Sequence, residues 1–194
     1  MRHLCNLCVS NISCESFFIP GLRSKPSCHI VPLTELIFDT PGTYIFQVPD
    51  CVTSIYAVVV GGGGGAAGTG NDFGGSGGGG GALSWGSFSV SEGETLSLVV
   101  GSGGDGAAAN SYTSGGQNGG DSVISRGSTS LLVGGGGKGG KSANYNGGLS
   151  QITRYGAGGI SSGTERDGGG HGGRGGYASY NNAGGGGGGA GGYR

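Results

Sequence analysis

The sequence predicts an all-β fold, in which antiparallel β-hairpins or a sandwich are followed by a bundle of packed polyglycine II helices, with no substantial α-helix. Apolar and polar residues alternate with a period of two, and no stretch combines a helical period with capping residues. Glycine supplies 54 of the 194 residues, against about 7% in an average protein. All glycines except Gly21 and Gly42 lie beyond residue 60, mostly in runs that follow apolar strands.

The alternating stretches predict two hairpins. Residues 44–48 are predicted to pair with residues 53–60, and residues 84–91 with residues 94–100. Aromatic and β-branched residues are concentrated in these stretches, as strands favour. Two shorter strands are predicted at residues 122–125 and 129–133.

The run VVVGGGGGAAGTG at residues 58–70 shows a glycine stretch that begins where a strand ends. Such a run could bind phosphate, act as a flexible linker, or form an ordered element. Residues 135–142 match the phosphate-loop pattern GxxxxGK[ST], but that chemistry needs a helix beginning at the lysine, and the residues that follow are poor helix formers. A linker would be free of strands and rich in serine, proline or charge, whereas no proline follows Pro49.

An ordered bundle explains the glycine runs best. Extended chains without side chains can approach closely on every side, and their amides and carbonyls can then bond to neighbouring chains. Each bond returns about 0.5–1.5 kcal/mol, which offsets part of the entropy lost by glycine. Bulky residues cluster between the runs, for example at residues 71–73 and 144–146, and are predicted to form turns at the ends of the bundle.

Composition divides the chain into three parts. Residues 1–36 are predicted to form a cysteine-containing arm or anchor, residues 37–140 a glycine-rich β and polyglycine domain, and residues 141–194 a glycine-rich continuation with tyrosine and asparagine loops. The arm contains candidate zinc ligands, Cys5, Cys8, Cys14 and Cys28. Because only one CxxC pair is present, the alternative is a peripheral arm tied by a disulfide. No other cofactor is expected.

Charge and residue types argue against several functions. The chain carries 10 lysines and arginines against 11 acidic residues, so it lacks the basic surface of a nucleic-acid-binding protein. An RGG-like unit at residues 173–177 leaves RNA binding as a remote alternative. No apolar run is long enough to span a membrane. No histidine has a serine, cysteine or carboxylate arrangement that would make it a catalytic base, so we predict no enzymatic activity.

Four blocks within residues 37–140 are distinctive: FDTPGTYIFQVPDCVTSIYAVVVGGGGG, GALSWGSFSVSEGETLSLVVGSGG, NGGDSVIS and LLVGGGGKGG. In these blocks the chain resembles the glycine-rich domain of phage and other viral tail-fibre and surface proteins. The resemblance implies packed polyglycine II helices joined by variable loops, which contact the receptor in the members that are fibre-tip adhesins. This chain differs by having Asp50-Cys51 where that family usually has Ala-Gly. Residues 1–36 have no counterpart in it.

We therefore expect a non-enzymatic structural or adhesive protein on a virion or extracellular surface, which presents loops for host attachment or reinforces the particle. Residues 1–36 would bind other virion or surface proteins, the loops would bind a host receptor protein or glycan, and the chain could oligomerise. The alternative is a cellular extracellular-matrix or cell-wall glycine-rich protein. The predicted loops are residues 69–73, 107–117, 142–155, 160–167 and 177–182.

Tyrosine side chains in these loops are candidate ligand contacts, since they offer large amphipathic contact area at low entropy cost. Alternatively, they only cover the ends of the bundle. The candidates are Tyr112, Tyr145, Tyr155, Tyr177 and Tyr180.

Overall fold

The regular structure of the residues that the structure describes is β-strand, as the sequence predicts. The computed structural model describes residues 5–11, 34–68, 75–108, 111, 114–142, 155–176 and 185–192, with only the backbone described for residues 5–11 and 34. No helix in this described part is long and apolar enough to cross a membrane.

One antiparallel sheet, sheet A, consists of β1 (Cys5–Asn11), β2 (Thr34–Phe38), β4 (Val52–Val60), β5 (Leu83–Ser89) and β10 (Gly168–Gly170). Its strand order is β10-β5-β4-β1-β2. The strand β4 is central, because Val59 lies opposite Cys5 on one side and Ser84 on the other. Residues 5–11 of the predicted arm therefore lie inside the sheet, between β2 and β4.

The second antiparallel sheet, sheet B, consists of β3 (Gly42–Gln47), β6 (Thr95–Val100), β7 (Ser122–Arg126), β8 (Thr129–Gly134) and β9 (Ser161–Ser162). Its strand order is β3-β6-β7-β8-β9. The two short strands predicted at residues 122–125 and 129–133 are confirmed as β7 and β8. They form a hairpin that turns at Gly127, whose φ of 57° suits glycine.

The two sheets pack face to face around an apolar core. Alternation along β3 buries Phe46 and leaves its neighbour Ile45 69% exposed. In β6, Leu96 and Leu98 are fully buried. The buried core cluster is Phe46, Val48, Val52, Ile55, Ala57, Val59, Phe88, Val90, Leu96, Leu98, Val100, Ile124, Leu131 and Leu132.

The two predicted hairpins are wrong. β3 pairs with β6 rather than with β4, and β5 pairs with β4 rather than with β6. Each expected hairpin turn instead carries the chain from one sheet to the other. Each of these two connections contains a residue with positive φ, Cys51 at 66° in the first and Gly93 at 74° in the second. Period-two alternation determines which side chains face inward, but it does not determine which strand lies alongside.

Glycine-rich segments continue the strands beyond one end of the sandwich. β4, β6 and β8 each run directly into such a segment, and β5 and β7 are each entered from one. The eight segments are residues 61–68, 75–82, 101–108, 114–121, 135–142, 156–160, 171–176 and 185–192.

Backbone hydrogen bonds join these segments at every third residue. In segment 61–68, one set of amides donates to carbonyls of segment 75–82, and the next set donates to carbonyls of segment 114–121. The first set is Gly61, Gly64 and Ala67, and the second is Gly62, Gly65 and Gly68, with N···O distances between 2.8 and 3.1 Å. The acceptors also follow at intervals of three, so the pairing is regular along the segment.

Glycine is required here because the backbones lie so close together. A Cβ added to Gly62, Gly65 or Gly80 would lie less than 3.0 Å from a carbonyl oxygen of the neighbouring segment. Positive φ does not explain the glycines in the segments, since the described glycines with positive φ are outside all eight of them. The segments therefore pack backbone against backbone, beyond the apolar core of the sandwich.

Candidate interaction surface

The segments have a free end, opposite the sandwich, which we call the tip. Segments that leave a strand pair antiparallel with segments that return to one, so the described ends of both kinds of segment lie together at this end. Four segments end at the tip, at Gly68, Ala108, Ser142 and Gly176. The described chain begins again at the tip at Gly75, Ser114, Tyr155 and Gly185. The fold thus brings eight segment ends, distant in sequence, to one surface.

Backbone hydrogen bonds hold the ends of the segments at the tip. The Gly68 amide donates to the Ser114 carbonyl at 3.1 Å, and the Gly185 amide donates to the Gly75 carbonyl at 2.9 Å. These ends are therefore positioned relative to each other by the packed segments below them.

Three serine side chains form hydrogen bonds at the tip. The buried Ser76 hydroxyl donates to the Lys141 carbonyl at 2.9 Å and accepts from the Lys141 amide at 2.7 Å. The Ser111 and Ser114 hydroxyls are hydrogen-bonded to each other at 2.6 Å. Serine satisfies backbone groups here that would otherwise lack a partner where the regular pairing ends.

Tyr155 is the predicted contact residue that the structure describes. It lies at the tip, half-buried, and the Arg174 guanidinium donates from Nη1 to its hydroxyl at 2.9 Å. The guanidinium carbon also lies 5.2 Å from the centre of the tyrosine ring. The pair presents an aromatic ring and an exposed cation side by side, a combination suited to the faces and hydroxyls of sugars or to acidic groups.

The other predicted contacts, Tyr112, Tyr145, Tyr177 and Tyr180, lie outside the described residues. The predicted loop at residues 160–167 does not lie at the tip. It lies beside the sandwich, where the Thr164 amide donates to the Ser130 carbonyl at 3.1 Å and Ser161 and Ser162 form β9. Sequence composition could not separate this loop from the others, because its polar residues resemble theirs.

Of the candidate zinc ligands, Cys5 and Cys8 lie in β1, where only the backbone is described, and Cys14 and Cys28 lie outside the described residues. Cys51 is disulfide-bonded. Since the chain has five cysteines, its partner is one of these four. Among the described side chains, no group of three or more histidine, cysteine or acidic residues could hold a metal ion.

The phosphate-loop match at residues 135–142 forms a glycine segment whose amides bond within the protein. The Gly137 amide donates to the Gly62 carbonyl at 2.8 Å. The Gly136 amide donates to the Asp121 carboxylate at 2.7 Å, and the Gly139 amide donates to the Asn118 side chain at 3.0 Å. The amides that a phosphate would need are thus used to pack the segment against residues 61–68 and 114–121.

At the end of the sandwich opposite the glycine segments, a cavity of about 480 Å³ is lined in part by Glu94 and Arg126. Arg126 forms an ion pair with Glu94 and donates from Nη2 to the Ser89 carbonyl at 2.6 Å, so it joins sheet B to sheet A. Burial alone raises the pKa of Glu94, but the Ser91 amide and the Arg126 guanidinium lower it by more. The pKa of Glu94 therefore lies below its ordinary value of 4.5.

We expect the ion pair to stabilise the protein at neutral pH and to lose this effect in acid. A carboxyl with a lowered folded-state pKa contributes stability above its unfolded-state pKa, and the contribution disappears as the pH falls through the folded-state value. Between about pH 5 and pH 3, the wild type should lose up to about 1 kcal/mol more unfolding free energy than Glu94→Gln. Urea titrations at several pH values would measure this. The control is Glu92→Gln, and an equal effect there would contradict a role for the ion pair.

The glycine-rich composition agrees with a comparison against known protein families. A family model described as a glycine-rich domain matches residues 39–194. The chain belongs to this glycine-rich domain family. The glycine-rich domain begins just before β3 and includes all eight segments and the tip, whereas β1 and β2 precede it. Nothing in the match links the domain to tail-fibre proteins or adhesins. A comparison with curated proteins found no similar sequence.

Proposed function

We propose that the eight glycine-rich segments are polyglycine II helices. Such a helix has three residues per turn and no internal hydrogen bonds, so its amides and carbonyls must bond to neighbouring chains. The hydrogen bonds between segments recur at every third residue, which supports this helix. The buried glycines of segment 75–82, which bonds to five other segments, support it further.

The protein would then act as a non-enzymatic structural and adhesive surface protein. The observation that carries this proposal is the meeting of eight segment ends, distant in sequence, at the tip of tightly hydrogen-bonded segments. Binding residues often lie on loops held by a rigid scaffold, and loops whose ends are fixed lose less entropy on binding. Tyr155 and Arg174 lie at this surface, and the other predicted contact tyrosines would join them. Their ligand would be a host receptor protein or glycan.

We place the protein on a virion or another extracellular surface, as a tail-fibre or capsid-surface component, with β1 and the disulfide at Cys51 on the side that attaches to the particle. The viral setting rests on the sequence resemblance of residues 37–140. The disulfide at Cys51 supports a location outside a reducing compartment.

Alanine substitution of Tyr145, Tyr155, Tyr177 and Tyr180 together tests the adhesive role. We expect the variant to lose binding to cell surfaces or to an immobilised glycan library, because the aromatic contact area is removed, while its melting temperature stays the same. Binding can be measured with the purified chain coupled to beads, so that many copies contact the surface at once.

Ile45→Ala is the control, since Ile45 is a large side chain that is 69% exposed on the sandwich, away from the tip. It should bind as the wild type does. If the fourfold tyrosine variant binds equally well, the tip is not the receptor site and the protein has the scaffold role alone. If the wild type binds no surface, the adhesive role is wrong.

A further inference from the structure

The outer face of segment 185–192 lacks the polar and charged side chains that segments such as 101–108 and 135–142 carry. Gly188 and Gly191 are buried, and a Cβ on either would strike backbone, that of segment 171–176 for Gly188 and that of β10 for Gly191. Around them the exposed glycines face open space, because a Cβ added to any of these would meet nothing within 4 Å. These glycines are Gly186, Gly187, Gly189 and Gly192.

No contact within the described chain explains glycine at these exposed positions. Where the conformational freedom of glycine is not needed, glycine lowers the free energy of unfolding by about 0.5–1 kcal/mol relative to alanine. Other outer segments carry side chains toward solvent, such as Asp105 in segment 101–108 and Lys138 in segment 135–142. In segment 185–192 the one side chain is the methyl group of Ala190.

This face also has unused hydrogen-bonding groups. Segment 75–82 is bonded to five other segments, whereas segment 185–192 is bonded to two. Neither the amide nor the carbonyl of Gly187 or Ala190 has a hydrogen-bond partner among the described residues. Parallel rods of equal width can have six neighbours, so this outer segment has room for more. Like the edge strand of a sheet, it presents a row of free backbone groups to another chain.

We propose that segment 185–192 binds the same segment of a second copy of this chain, backbone against backbone and antiparallel about a twofold axis. The proposal depends on the polyglycine II bundle. A partner at this spacing must have almost no side chains as well, and the same segment of another copy, whose one side chain is the methyl group of Ala190, meets that requirement. The antiparallel pairing of segments 171–176 and 185–192 within one chain, where Gly173 donates to Gly189 at 2.8 Å, provides the pattern. The segment carries no charge, so two copies do not repel each other there.

The contact is small and therefore weak in free solution. Eight residues extend over about 25 Å at the rise of this helix, and one such face buries far less than the roughly 800 Å² per partner of a stable interface. The contact gains strength when many copies lie side by side on one surface, since each then has its partner at high effective concentration. It would join neighbouring copies laterally and reinforce the surface that carries them.

The test is sedimentation velocity of the full chain at protein concentrations from about 10 μM to about 1 mM. A dimer with so small an interface should dissociate within this concentration range. We expect the wild type to dimerise reversibly and Gly187→Val to weaken dimerisation at least about tenfold without changing the melting temperature. The matched control is Gly106→Val, an exposed glycine of another outer segment, where a Cβ has ordinary clearance of 3.7 Å. It should dimerise like the wild type.

Hydrogen exchange on the same samples separates this inference from the bundle itself. The amides of Gly187 and Ala190 should exchange more slowly at high concentration, and those of Gly64 and Gly79 should be protected at every concentration. Fast exchange at Gly64 and Gly79 would overturn the bundle. If Gly64 and Gly79 are protected but the chain stays monomeric, only the lateral contact is overturned. The same conclusion follows if Gly187→Val leaves dimerisation unchanged, or if Gly106→Val weakens dimerisation as much as Gly187→Val does.

Discussion

Gly80→Ala is expected to destabilise the protein by about 3 kcal/mol or more, at the upper end of the cost of overpacking. The added methyl group would overlap the Gly189 carbonyl oxygen, and its next neighbours are also backbone atoms that cannot rotate away. To make room, the segments would have to separate, which weakens the bond from the Gly80 amide to the Gly173 carbonyl, now 2.9 Å long. Chemical denaturation at micromolar protein concentration would measure the loss.

Gly189→Ala is the matched control, because it places the same methyl group on the other residue of that contact, where it meets nothing within 4 Å. This variant should be neutral or more stable by up to about 1 kcal/mol, since alanine restricts the unfolded chain. Equal stabilities of the two variants would mean that the segments are not packed backbone against backbone.

Ser122→Ala is expected to cost roughly 2–4 kcal/mol, because it leaves one buried and one partly buried backbone group without this partner, at about 1–3 kcal/mol for the buried group and about 1 kcal/mol for the other. The fully buried Ser122 hydroxyl donates to the Val60 carbonyl at 2.7 Å and accepts from the Gly101 amide at 3.0 Å. These two residues mark the places where β4 and β6 pass into glycine segments. The hydroxyl thus provides a hydrogen-bond partner to both backbone stretches at the place where strand pairing changes to segment packing.

Ser125→Ala provides the comparison for Ser122→Ala. Ser125 lies in the same strand, half-buried, and its hydroxyl makes one bond of 3.5 Å to the Ser97 carbonyl. Its loss should cost less than about 1 kcal/mol. Thermal unfolding followed by circular dichroism would compare the two serine variants, and an equal loss of stability in both would argue against a special role for the junction.

Much of the fold could be predicted from sequence, because local patterns carry the relevant physics. Period-two alternation located the strands around Phe46 and Leu98, and the absence of a helical period excluded helices in the described residues. Strand partners could not be predicted, since alternation contains no information about which strand lies alongside. The glycine strand β10 was missed because its pairing with residues 83–85 is made by backbone alone.

The candidate surface was predictable in part. Residues between glycine runs indicated turns, and Tyr155 lies at the tip as the turn prediction requires. The pairing of Tyr155 with Arg174 could not be predicted, because the two residues meet only when segments 156–160 and 171–176 lie side by side. For the same reason, the loop at residues 160–167 was assigned to the wrong end of the molecule.

The regular pairing of the segments leaves their alignment ambiguous. If one segment slid along its neighbours by a single repeat, most of its backbone bonds would form again with equivalent partners. The native alignment is distinguished by features outside the repeat, such as the Asp121 carboxylate that accepts from the Gly136 amide, and by the strands to which the segments are joined. The sandwich therefore supplies the register of the bundle, and a chain that aligns its glycines before its strands would have to slip back before it could fold.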